Sequence, residues 1–292
     1  MNNSTFRVTV LGTRGSLPVS GSQFNTFGGA TSSYMIEAAG ETLFVDGGTG
    51  ILNAPKEAGT LKTAAEATKD TAGAPVRILL SHTHIDHILG LPLFLLTHCG
   101  GKDLEFYGRM RGGETLEEQL DHLFAPPLWP AKLSVYPLGK IGFHEAREHF
   151  RAGAFDIRTM ESSHPGGSLI YKISAAGKSV VIATDFEHGE GREEELAAFA
   201  EGTDLLLYDG QYSGTAMPEY AARKGFGHST EQAGFDIFRK SGARRLRIIH
   251  HDPAGTDEML LCREAQLVCA AASSDGAQPD AAFAREGETV EL

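Results

Sequence analysis

The chain has 292 residues, 41% of them hydrophobic and 22% charged, with a net charge of −12; this balance suits a globular protein with a core of good size and poorly suits one that grips a long phosphate backbone by bulk electrostatics. Its three cysteines, Cys99, Cys262 and Cys269, are scattered and lack a Cys-x-x-Cys pair, which argues against a disulfide framework and a cysteine zinc site. The N-terminus carries no signal-peptide pattern and no apolar stretch is long enough to span a bilayer, so the expected setting is the cytoplasm, away from membranes.

In chain order, Phe6 to Leu11 reads as a strand. The turn Gly12-Thr13-Arg14-Gly15-Ser16-Leu17-Pro18 follows, either a phosphate-facing glycine turn or a plain hairpin loop. Tyr34–Glu37 and Thr42–Val45 are strands, the second ending in Asp46-Gly47-Gly48-Thr49-Gly50. A carboxylate at the end of a buried strand is costly unless partnered. Asp46 either binds a metal or holds a neighbouring loop by hydrogen bonds, and the second role is preferred. Residues 54–75, rich in Ala, Thr, Lys and Glu, read as an exposed helix and loop.

Val76 to Leu80 is a short apolar strand that breaks into Ser81-His82-Thr83-His84-Ile85-Asp86-His87. In extended backbone, residues two apart point the same way, so His82 and His84 can close on one ion. Asp86 and His87 are adjacent and diverge as the chain turns, so they can serve a second ion. Imidazole and carboxylate are good ligands for zinc and its neighbours.

Ile88 to Leu96 is expected to be a buried helix shaped by Pro92, and Leu104–Gly108 a strand. Leu116, Leu120, Leu123 and Phe124 share one helical face. Trp129, in a proline-rich loop, either lines an opening or packs. Strand character returns at Leu133–Pro137 and Phe155–Met160, with His144 and His149 between them in solvent; His98, His122 and His188 are read the same way. Ser163-His164-Pro165 is a strand exit. Leu169–Ile173 and Ser179–Ala183 form a hairpin about Gly177, ending in Thr184-Asp185. A short helix holds Leu196, Ala197 and Phe199, and a strand ends at Asp209. Gly227-His228-Ser229-Thr230 opens a helix, with Ser229 or Thr230 as N-cap. Leu246–Ile249 leads to His250-His251-Asp252-Pro253. A helix over 259–272, a small polar tail and a closing strand at Thr289–Leu292 complete the chain. The alternation supports one domain over residues 1–292, an α/β (α+β) arrangement of two helix-covered sheets.

The motif His82-x-His84-x-Asp86-His87 resembles the signature of the metallo-β-lactamase fold superfamily. Leu11-Gly12-Thr13-x-Gly15-x-x-Pro18, Asp46-Gly47-Gly48-Thr49-Gly50, Ser163-His164-Pro165, Ala183-Thr184-Asp185, Gly227-His228-Ser229-Thr230 and His250-x-x-Pro253 follow in family order. They resemble the branch of ribonuclease Z and the related cyclic-nucleotide phosphodiesterases. That resemblance implies a four-layer αββα sandwich holding two divalent metal ions, zinc foremost, with manganese or iron as alternatives. It implies His82, His84 and His164 on one ion and Asp86, His87 and His250 on the other, with Asp185 bridging. His250 is preferred to His251 for its spacing from Pro253. His228 would act beside the scissile phosphate, and Asp86, Asp185 and His228 would form the catalytic set. No long Gly/Pro-rich arm for the tRNA elbow is evident, so a small anionic phosphodiester such as a cyclic nucleotide is expected, rather than long nucleic acid. RNA 3′-end processing, or nucleotide sensing without turnover, is the alternative. Homodimers are common among such relatives.

Overall fold

The structure, a computed structural model, describes residues 5–56, 74–214, 222–271 and 279–292. The first sheet takes β1 (Phe6–Gly12), β2 (Ser33–Ala38), β3 (Glu41–Val45), β4 (Val76–Leu79), β5 (Leu104–Gly108) and β6 (Ile141–Glu145). The second takes β7 (His149–Ala152), β8 (Phe155–Glu161), β9 (Leu169–Ala175), β10 (Lys178–Ala183), β11 (Leu205–Asp209), β12 (Arg245–Ile249) and β13 (Asp280–Phe283). A last strand, β14 (Thr289–Glu291), returns to the first sheet beside β1, giving the orders β14-β1-β2-β3-β4-β5-β6 and β13-β12-β11-β10-β9-β8-β7. Strands β3 to β6 are mutually parallel, as are β10 to β13; the other halves are antiparallel.

Alternation along the strands dictates the layers. Val180 and Ile182 of β10 point inward and pack with Val8, Ile36 and Leu43 of the other sheet. Val181 and Ala183, on the opposite face, meet Leu196, Ile237, Phe238 and Leu260 from the covering helices α4 (Glu193–Phe199), α5 (Glu231–Ser241) and α6 (Asp257–Ala271). Strands buried on both faces need such cover. Phe44 and Ile78 of the first sheet are covered by Leu91, Phe94, Leu95, Leu116 and Leu120, which belong to α2 (Leu91–His98) and α3 (Leu116–Leu123). The result is the expected αββα sandwich. Helix α3 shows the local logic. Thr115 accepts from Glu118 N while the Glu118 carboxylate accepts from Thr115 N, a reciprocal cap, and burying each leucine contributes roughly 1.5–3 kcal/mol.

The single helix expected over 88–96 is two. One turn, α1 (Ile85–Ile88), precedes α2. Gly47 N donates to His87 O at 2.6 Å and Gly90 N to Gly47 O at 2.9 Å, so the loop after β3 takes up groups that a continuous helix would use. Pro92 sits in the first turn of α2, where its missing N–H costs nothing. Leu133–Val135 is a 3-10 turn, not a strand. His144 and His149 lie on β6 and β7 and are exposed as expected. His98 is buried instead, stacked on Phe94 with centroids 4.8 Å apart. Most of the expected 54–75 helix, residues 57–73, lies outside the described residues, as do residues 272–278 of the polar tail. No helix among the described residues is long and apolar enough to cross a membrane.

Candidate metal centre

Parallel strands deliver their C-terminal ends to one edge, and loops there are where sites are built. Asp46 follows β3, Ser81 and His82 follow β4, Asp185 follows β10 and His250 follows β12. Asp46, Asp185 and His250 have left-handed backbones, with φ of 60°, 54° and 59°. Asp and His tolerate that region better than most residues, and the sharp turn carries each side chain off its strand.

Asp46 is fully buried, and its carboxylate is used up in holding the signature loop. Oδ1 accepts from Ser81 N at 2.8 Å; Oδ2 accepts from Ser81 Oγ at 2.9 Å and faces His87 Nδ1 at 2.8 Å. Of the two roles open to it from sequence, this is the supporting one. Leu169 N donates to Ser81 O at 2.9 Å and Tyr171 OH to Leu80 O at 2.7 Å, tying the loop to the second sheet.

All seven residues named from sequence as ligands converge. His82, His84 and His164 bring donor atoms within 4.8 Å of one another, and so do Asp86, His87 and His250. Asp185 lies between the groups. Its Oδ1 is 3.9 Å from His82 Nε2, 3.8 Å from His164 Nε2 and 3.5 Å from His250 Nε2, and its Oδ2 is 3.1 Å from His87 Nε2. His250 reaches this cluster because Gly15 makes room: a Cβ there would lie 2.3 Å from the His250 ring. His251 points elsewhere. It stacks on Phe283, meets Phe27 edge-on and donates from Nε2 to Ala284 O at 2.9 Å.

The electrostatics fit a bound cation. His87 commits Nδ1 to Asp46, so its Nε2 faces Asp185 at 3.1 Å and Asp86 at 3.3 Å without hydrogen-bond geometry, as does the buried, unpartnered Nε2 of His82 toward Asp185. A lone pair aimed at carboxylates is repelled unless a positive charge stands between them or on the ring. Burial opposes charging His87, but Asp185, Asp86 and Asp46 outweigh it and raise its pKa well above the ordinary value. The same contest, with burial opposed mainly by Asp185 and Asp86, raises His250 to about 9. Burial would raise Asp86 and Asp185, yet His87 and His250 hold both well below the usual carboxylate range. Burial lowers His82, His84 and His164, which leaves them neutral, and His164 Nε2 lies 3.0 Å from His84 Nδ1. Neutral imidazoles beside carboxylates that demand positive charge are the donor set of zinc and its neighbours.

Above the cluster opens a cleft of about 290 Å³, lined by Ser16, His84, Asp86, His164, Pro165, Asp185, Phe226 and His228. Ser16 N donates to Asp86 Oδ2 at 2.7 Å. His228 Nδ1 is 2.9 Å from Asp209 Oδ2, which leaves Nε2 as the nitrogen free for the cleft. Asp209 is missed by motif spacing, although its signal is the one that marks Asp46 and Asp185: a carboxylate closing a buried strand. Trp129 does not line this cleft; it packs against the core under the first sheet and donates to Tyr136 OH at 2.7 Å.

Residues 42–251 match the family model described as the beta-lactamase superfamily domain. A ribonuclease Z of Natronomonas pharaonis is 24% identical, over 84% of this chain and 87% of that protein. The metallo-beta-lactamase fold protein YhfI from Bacillus subtilis superposes with a TM-score of 0.66 at 19% identity, covering 99% of this chain and all of the other. A diphosphatase of the PhnP family superposes with a TM-score of 0.63 at 18% identity, covering 98% of each chain. The matched span runs from β3 to the loop after β12 and takes in all seven converging residues; the chain belongs to the metallo-β-lactamase fold superfamily, with ribonuclease Z among its relatives.

Proposed function

We propose that the chain is a binuclear metal-dependent phosphodiesterase acting on a small anionic phosphodiester such as a cyclic nucleotide. The observation that carries this reading is the pair of donor triads joined by Asp185 beneath a cleft that His228 also lines. His82, His84 and His164 would hold one divalent cation, and Asp86, His87 and His250 the other, with Asp185 shared; zinc suits this set, and manganese and iron are compatible with it. Bound there, such a pair supplies charge neutralisation for the phosphate and a water of lowered pKa.

The chain's own groups orient and move protons. Asp209 accepts from His228 Nδ1–H, which fixes the tautomer and ring angle. Protonated at Nε2, His228 gives that proton to the leaving oxygen as the phosphorus–oxygen bond breaks. Asp86 is steadied by the Ser16 N–H, and Asp46 fixes the tautomer of His87.

Two features favour a small substrate. The cleft is about 290 Å³. The short basic run Arg244-Arg245-x-Arg247 is also already neutralised: Arg244 pairs with Asp204 at 3.2 Å, Arg245 with Asp280 at 3.4 Å, and Arg247 with Asp280 at 2.6 Å and Glu288 at 2.7 Å. The second reading, an RNA 3′-end endonuclease, is favoured by the 24% identity to a ribonuclease Z. Metal-loaded protein assayed on cyclic nucleotides, aryl phosphodiesters and precursor tRNA separates the two. Turnover of the small diesters with little RNA cleavage is expected. RNA cleavage with a steep salt dependence favours the second reading, a nucleotide held tightly and unchanged favours a sensor, and no turnover of any substrate sinks the enzyme reading.

A further inference from the structure

Phe226 stands at the mouth of the cleft, 61% exposed, two residues before His228. A lone exposed phenylalanine is ordinary; the backbone that presents this one is not. Gly225 and Gly227 flank it with φ of 90° and 88°. Both donate their N–H groups to one buried carboxylate, Glu187, at 2.6 and 2.8 Å. Gly227 also accepts from His164 Nδ1 at 3.0 Å, and a Cβ on it would lie 2.0 Å from that nitrogen. Phe226 N donates to Arg223 O at 3.2 Å. The backbone that carries the ring is therefore held at a fixed place relative to His164 and His228, and the ring itself lies toward solvent, where it buries little. Asn, Gln and Arg, the side chains that pair bidentately with base edges, are not among the described residues lining the cleft.

We infer that Phe226 is a stacking platform for a planar aromatic group carried on the substrate's phosphate. The site then takes nucleoside or aryl phosphodiesters, and it tolerates purine and pyrimidine alike because every base has a π-face. This rests on the phosphodiesterase reading above and adds to it the residue that selects the substrate class.

The test is calorimetric titration of metal-loaded protein with adenosine 5′-monophosphate, uridine 5′-monophosphate and ribose 5-phosphate. Both nucleotides are expected to bind more tightly than the sugar phosphate and within a few-fold of each other. Phe226→Ala should weaken the nucleotides by roughly 5- to 150-fold, the range of base–aromatic stacking, and ribose 5-phosphate by less than twofold; Phe226→Trp should restore the preference. Because the side chain is exposed, the melting temperature should barely move. Equal affinity for nucleotide and sugar phosphate, or a preference that Phe226→Ala leaves intact, overturns the stacking role. A protein that hydrolyses phosphodiesters with either of those outcomes loses this inference alone; one that hydrolyses none loses the phosphodiesterase reading as well.

Discussion

His228 and Asp209 form a pair whose members contribute differently. Asp209 is fully buried, with Oδ1 accepting from Gln211 N at 3.0 Å and Oδ2 facing His228. It touches the reaction only through the ring it orients. His228→Ala should therefore lower kcat by about 10²–10⁴-fold, the usual contribution of a positioned acid, while the metal content of the protein stays unchanged. Asp209→Asn should lower kcat less, because the ring keeps its place in the cleft but loses the acceptor that fixes its tautomer. Steady-state kinetics over pH, with elemental analysis of each variant, checks both. If His228→Ala emptied the metal site, its ring would be a ligand instead, a role open to it on proximity to His164 and Asp185. The two adjacent histidines are separated as clearly: His250 faces the cluster, whereas burial among Phe27 and Phe283 lowers the His251 pKa to about 3. The spacing to Pro253 singles out His250 as the candidate ligand, and His250 is the one of the two that lies 3.2 Å from Asp86 Oδ2.

At the scale of elements, the turn after β1 matters as much as the signature loop. Gly15 N donates to His251 O at 3.0 Å, and His251 N to Thr13 O at 2.8 Å, so this turn is laced to the chain beyond β12. Gly15→Ala should push the His250 ring from Asp86 and cost the second ion, reducing the metal count from two to one with the fold retained; an unchanged count would show that the ring can give way. This turn was legible as a glycine turn, but its partner was not, because the two stretches are 238 residues apart in Arg14 and Asp252 alone, which are joined by a hydrogen bond of 3.0 Å. Strands with apolar runs, such as Leu205–Asp209, announce themselves. β6 and β7 are only partly buried, and β13 reads Asp-Ala-Ala-Phe, rich in a residue depleted from strands. These three are held by their neighbours in the sheets, information a local pattern does not contain. The seven ligand candidates were legible because each sits at a strand exit in a short motif. Asp209 and Glu187 support other residues across the fold, and no spacing marks them.

The whole molecule couples this site to stability. In metal-free protein His250 carries a folded pKa of about 9 against an ordinary 6.5. A raised pKa means that the fold binds the proton more tightly than the unfolded chain. The stabilisation is fully present below pH 6.5 and is lost as pH rises through about 9. Chelated protein should thus melt at progressively lower temperature from about pH 6.5 to 9. Metal-loaded protein should melt higher, with that slope flattened, since the ions replace the protons. His251 works at the other end: its pKa is lowered, so stability falls as pH drops from 6.5 toward 3, with or without metal. Thermal melts across pH with and without chelator read both limbs, and a chelated protein that gains stability between pH 6.5 and 9 would contradict the electrostatics described here.

The central claim is that seven side chains from four strand exits hold two cations. It is tested most directly by elemental analysis of the purified chain after equilibration with zinc and removal of free metal. Two ions per chain are expected, and one or none, in protein that remains folded, would contradict the claim.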